Sequence, residues 1–130
     1  MHKTGENAGQ PLNGKRCLVV EDEFLIAIDI EGILQSAGAE EVLCASSAEE
    51  ALRLITTEPI DFAVLDLKLA NRTSLDAADA LSEKAVPFVF VTGAPDDIGK
   101  LSRHRDTPVL AKPFEIKSLL DLLGRIFADK

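Results

Sequence analysis

Asp66, Thr92 and Lys112 each follow a short apolar run, and Glu21 and Asp22 directly follow another. A carboxylate at the end of an apolar strand is costly unless something pairs with it. Brought together, these acids, a hydroxyl and an ammonium would pair with one another. Glu21, Asp22 and Asp66 are like charges, whose crowding pushes a pKa up unless a cation comes between them. Oxygen ligands at this charge density suit Mg²⁺, which takes one or two carboxylates together with waters and a phosphate. Thr92 has a proton to donate to a phosphoryl oxygen. Lys112 has an ammonium to pair with Asp66 in an empty site and with a phosphoryl group in a filled one. A carboxylate is also a competent phosphoryl acceptor, and such a transfer needs mainly positioning and charge neutralisation.

Such chemistry requires elements that deliver four chain segments to one edge. Short apolar or β-branched runs at 16–20, 40–45, 61–67, 87–92 and 107–111 read as strands. Between them, apolar positions recur at helical spacing: Ile26, Ile30, Ile33 and Leu34 before the stop at Gly38, then Ala51, Leu52, Leu54 and Ile55 behind a Ser47–Glu50 capping box. Leu75, Ala78 and Leu81 trace a third helix with Ser74 as N-cap. The stretch 96–104 offers only Ile98 and Leu101 as anchors and predicts a short, weak fourth helix. Ile116, Leu119, Leu120, Leu123 and Phe127 give a clear last one. Strands alternating with helices predict an α/β domain, a doubly wound parallel sheet covered on both faces. In such sheets, ligands bind beyond the carboxyl ends of the strands, where Glu21, Asp22, Asp66, Thr92 and Lys112 all fall.

The 130 residues suffice for one domain, and 46% hydrophobic content fits a folded globule. Residues 1–14, polar and broken by Pro11 and Gly14, read as a flexible N-terminal tail ahead of a domain over 15–130. A net charge of −8 argues against direct nucleic-acid binding and favours cations or locally basic partners. Cys17 and Cys44 sit in strands without metal spacing and read as inert buried thiols. No run approaches the roughly 20 apolar residues of a membrane helix, and the N-terminus has no apolar leader. A soluble, cytoplasmic protein without membrane contact is expected. His2 and His104 have no surrounding site in the sequence, and Arg103, His104 and Arg105 read as a solvated patch.

In order and spacing, "LVVEDE" (18–23), "AVLDL" (63–67), "FVTG" (90–93) and "KPF" (112–114) resemble the receiver domain of two-component response regulators. The resemblance covers about residues 15–128 and implies a flavodoxin-like (βα)5 fold with strand order 2-1-3-4-5. It implies Asp66 as phosphoacceptor, taking its phosphoryl group from a histidine kinase, a hybrid kinase or a phosphotransfer protein. It further implies Mg²⁺ held by Asp22, Asp66 and the backbone carbonyl of Lys68, with Glu21 acting through metal-bound water. Thr92 and Lys112 would hold the phosphoryl oxygens, and Gly93, Ala94 and Val109 would lie on the signalling surface facing a downstream protein.

Three departures stand out. No proline follows the acceptor in "DLKLANRTS", and the aromatic often found three residues before the lysine is Val109 here. "PFVFVTGAPDD" is similar to a mostly single-domain subgroup with a Phe-Ala-Thr-Gly signature, with Val91 for the alanine. Met1 and the stop at Lys130 suggest a stand-alone switch, a monomer or weak dimer that acts by protein contact rather than as an enzyme on a separate substrate. Its own catalysis would be limited to promoting phosphotransfer and slow autodephosphorylation. A receiver cut from a hybrid kinase and an unphosphorylated pseudo-receiver stand as alternatives. An aspartate-nucleophile phosphatase of the haloacid dehalogenase type fits poorly, because that family carries its nucleophile on the first strand. The sequence leaves open whether the Lys68 ammonium reaches the phosphoryl group.

Overall fold

Five runs form strands: β1 (Arg16–Val20), β2 (Glu41–Ala45), β3 (Phe62–Asp66), β4 (Phe88–Thr92) and β5 (Val109–Ala111). With them, among the described residues, come four helices: α1 (Phe24–Ser36), α2 (Ala48–Thr57), α3 (Leu75–Glu83) and α4 (Ile116–Ile126). The structure, a computed structural model, describes residues 10–68, 74–94, 104 and 106–128. All strand pairs are parallel and the order is β2-β1-β3-β4-β5, the flavodoxin-like arrangement. The weak helix expected at 96–104 lies outside the described residues, His104 excepted.

Side chains alternate across a strand, so a strand covered on both faces must be apolar throughout. β3 and β4 are buried at every position. On one face Leu18, Val20, Ala63, Leu65, Phe88 and Phe90 meet Ala51 and Ile55 of α2 and Ala78 and Leu81 of α3. On the other, Val19, Phe62, Val64, Val89 and Val91 meet Ile30 and Leu34 of α1 and Leu119 and Leu123 of α4. Each large side chain so buried contributes about 1.5–3 kcal/mol relative to exposure. These two layers hold the strand ends in place.

Local signals were mostly, not wholly, realised. Glu50 N–H donates to Ser47 Oγ at 3.1 Å, but the Glu50 carboxylate accepts from the N–H of Ser46 rather than that of Ser47. Ser74 precedes α3 yet makes no capping bond, and its buried hydroxyl has no hydrogen-bond partner. At the end of α1, Gly38 has φ +103°, and a Cβ there would lie 3.0 Å from the Asn13 backbone. That close approach marks a departure from the expected tail. Gln10–Gly14 form a turn against α1, Leu12 N–H donates to Ala37 O at 2.9 Å, and Leu12 is wholly buried. The Lys15 ammonium lies 5.1 Å from the Phe127 ring centroid, and Phe127 packs edge-on against Phe62. Hence the packed body includes residue 12.

The expectation for the cysteines needs one correction. Both are free and Cys17 is buried, but Cys44 is exposed, because β2 is a sheet edge. Burial pushes the Cys17 thiol up to about 12, with the Asp61 charge adding and Lys15 opposing. Burial of part of Cys44, together with Glu31 and Glu50, raises that thiol as well. A thiolate is the reactive form. A disulfide reagent should therefore titrate one thiol in the native protein, faster as pH rises from 7 to 9, and two in urea. Cys44→Ser should remove the native reaction. Labelling of Cys17 in the folded protein would contradict this.

Candidate functional site

Because β1, β3, β4 and β5 run parallel, their carboxyl ends open on one edge. The apolar stems explain why: β1, β3 and β4 are buried up to their last residue, β5 is a partly exposed edge strand, and the polar residue emerges where each strand ends. Glu21, Asp22, Asp66, Lys68, Thr92, Gly93, Ala94 and Lys112 line one open cavity of about 350 Å³, with Glu23 beside them. Eight of the nine residues expected at the site thus come together around this cavity. Val109 is the exception: it is half-buried and packs against the α2–α3 core beside Phe90.

Lys112 is the hub. Its ammonium donates to Glu21 Oε1 at 3.0 Å and lies 3.3 Å from Asp66 Oδ2. The expected Lys112–Asp66 pair is present, and the shorter contact to Glu21 was missed. Those two residues stand 91 positions apart, so no local signal could have joined them. Glu21 Oε2 also accepts from the Glu23 N–H at 3.1 Å, at the start of α1. Asp66 Oδ1 accepts from the Lys68 N–H at 3.3 Å, and Thr92 Oγ1 accepts from the Ala94 N–H at 3.0 Å. Each acid or hydroxyl is thereby fixed by the backbone that follows it.

Burial dominates the electrostatics. It pushes the Glu21 and Asp66 carboxyls above their ordinary range, against the opposing pull of Lys112 on both. For Lys112, burial pulls down but the two carboxylates more than offset it, so the ammonium is held more firmly than usual. Carboxylate oxygens of Glu21, Asp22 and Asp66 lie within 4.8 Å of one another. Such a cluster, all oxygen and short of positive charge, fits a small hard cation. A larger groove of about 600 Å³ adjoins on the α1–α4 side, lined by Ile26, Ile30, Ile33 and Phe114 among others. Among the described residues only Asp29 and Lys112 give it charge, whereas the smaller cavity gathers the carboxylates of Glu21, Asp22 and Asp66 and two lysines.

A doubly wound α/β domain with an acidic pocket and Lys112 paired to its carboxylates at the carboxyl edge defines a class, the receiver-type signalling domain. The chain belongs to the response regulator receiver domain family, whose family model matches residues 17–124. It is 32% identical over 109 residues to the transcriptional regulatory protein PdtaR of Mycobacterium tuberculosis, covering 82% of this chain and 53% of that protein. The crystal structure of the response regulator PhyR from Brucella abortus superposes with TM-score 0.77 at 32% identity, covering 94% of this chain and 50% of that one. The response regulator TrrA of Thermotoga maritima, crystallised in complex with Mg²⁺ and BeF, gives TM-score 0.76 at 25% identity, over 86% of this chain and 98% of that one. The chain spans about half the length of the curated PdtaR relative. Receiver domains generally bind Mg²⁺ at an acidic pocket such as the one formed here by Glu21, Asp22 and Asp66. Among the described residues, no helix is long and apolar enough to cross a membrane.

Proposed function

We propose that this chain is a phosphorylation-dependent switch in which Asp66 accepts a phosphoryl group from a histidine kinase or a phosphotransfer protein. The observation that carries this is the placement of Asp66: a carboxylate at the end of the central strand β3, facing an open cavity, 3.3 Å from a lysine and grouped with two further acids. Asp22, Asp66 and the Lys68 carbonyl would hold Mg²⁺, with Glu21 acting through its water. Bound there, Mg²⁺ supplies charge neutralisation for the incoming phosphoryl oxygens. An Asp66 oxygen attacks phosphorus as the P–N bond of the donor phosphohistidine breaks, and the imidazole leaves with the bonding pair. Lys112 then turns from the carboxylates to a phosphoryl oxygen, and Thr92 donates its hydroxyl proton to another.

Exposed Ile116 lines the apolar groove beside the pocket, and Phe24, Leu25 and Ile28 are exposed at the start of α1, which supports a protein as donor. Gly93, Ala94 and Val109 form the surface through which the loaded state would be read by a downstream protein. Chemistry is confined to the domain's own acyl phosphate, its formation and slow hydrolysis, without turnover of a separate substrate.

Incubation with acetyl phosphate and Mg²⁺ should add one phosphoryl group, seen as a single adduct by intact-mass spectrometry. EDTA should suppress it, and Asp66→Asn should abolish it. Labelling that persists in Asp66→Asn, or an adduct that ignores EDTA, would overturn the reading.

A further inference from the structure

We infer that His104 is a positioning residue for Lys112. The expectation of a solvated arginine-flanked patch fails at this residue: His104 is 8% exposed. Its Nε2 stands 2.8 Å from Asp79 Oδ1 on α3. A carboxylate only accepts, so Nε2 carries the proton. The ring meets Phe88 and Phe90 of β4 edge-on, at centroid distances of 5.6 and 6.2 Å. Its carbonyl accepts from the Thr107 N–H at 3.1 Å, closing the turn that leads into β5.

That turn sets the entry of β5, a strand that pairs with β4 and packs Val109 and Leu110 against the two core layers. The strand is three residues long, half-exposed, and lies at the sheet edge with β4 as its neighbour. Lys112 follows it directly, tied to β4 by its own N–H bond to Thr92 O at 2.7 Å. A shift of β5 along β4 would carry the ammonium away from Glu21 and Asp66. His104, clamped between α3 and two rings of β4, fixes the entry to that strand. Phe88, Phe90 and Thr92 also share one face of β4, so the same strand presents the clamp at one end and the site hydroxyl at the other.

The inference rests on the proposed phosphoryl site and is tested with beryllofluoride, Mg²⁺ and NMR titration. Removing an outer-shell partner costs about 10–100-fold in affinity or activity at comparable sites. His104→Leu should weaken beryllofluoride binding about tenfold and leave Mg²⁺ affinity close to that of the parent. His104→Gln, which restores a donor toward Asp79, should recover most of the loss. In a Lys112→Ala background His104→Leu should cost nothing further. Should His104→Leu fail to fold, Asp79→Ala removes the same bond and carries the same expectation. Equal losses with and without Lys112, or no loss in His104→Leu, would make His104 merely structural and overturn the inference. Unchanged beryllofluoride binding in Lys112→Ala alone would overturn the site reading itself, and this inference with it.

Discussion

Lys112→Met is expected to destabilise the metal-free protein by about 3 kcal/mol at pH 7, because breaking a buried ion pair leaves the partner charge uncompensated. The side chain of Glu21 is fully buried and that of Asp66 is 8% exposed, and the same ammonium serves both. Methionine keeps most of the volume and removes the charge, leaving two carboxylates facing each other. The fold's response is to take up a proton. Both carboxyls are already pushed above their ordinary range by burial, so between that range and their raised values the native state binds more protons than the unfolded chain. Stability then falls as pH rises through this window and grows as pH is lowered within it. Loss of Lys112 pushes both carboxyls up further and steepens that slope. Urea unfolding in EDTA at several pH values checks this. A variant as stable as the parent, with the same pH slope, would show that the acids are held by something other than Lys112. Saturating Mg²⁺ should recover part of the loss, since a cation among the three acids replaces the missing charge.

Phe90→Ala should be the most damaging apolar substitution near the site, costing about 4 kcal/mol. The ring is wholly buried, lies between β3 and β5 in register with Leu65 and Val109, and meets Phe88 edge-on at 5.6 Å. Its removal opens a cavity under β5 and withdraws one of the two rings that hold His104. For a domain of this size the loss corresponds to a fall in Tm of roughly 15 °C. Ile116, 60% exposed at the start of α4, provides the contrast: its replacement by alanine should change stability by less than about 0.5 kcal/mol. Thermal unfolding of both variants followed by circular dichroism tests the ranking. A Phe90→Ala protein that melts with the Ile116→Ala protein would show that the core relaxes into the space.

The central part of this architecture was legible because it obeys local rules. β3 and β4 announce themselves by unbroken apolar runs, and the polar residue that ends each run marks the functional edge. What could not be read depends on partners distant in the chain. His104 sits between two arginines and looks like surface until Asp79 and the rings of β4 are placed around it. Leu12 is one apolar residue in a polar, breaker-rich stretch, and its burial requires the end of α1 to be close by. Cys44 follows the β-strand pattern correctly, but sequence does not say which strand will be the edge. The Glu21–Lys112 contact is of the same kind, joining residues 91 positions apart at the ends of β1 and β5.

The turn at residues 10–14 and the Lys15–Phe127 contact have a further consequence. Leu12 sits at the far end of α1 from Glu23, and Phe127 closes α4 beside the start of β1. Both ends of the described chain therefore leave from the pole opposite the acidic cavity. A fluorescent reporter or a surface tether joined next to residue 10 or residue 128 would start from the side away from the mouth where Asp66 lies. Immobilisation at either point should thus present this domain to a protein donor right way up.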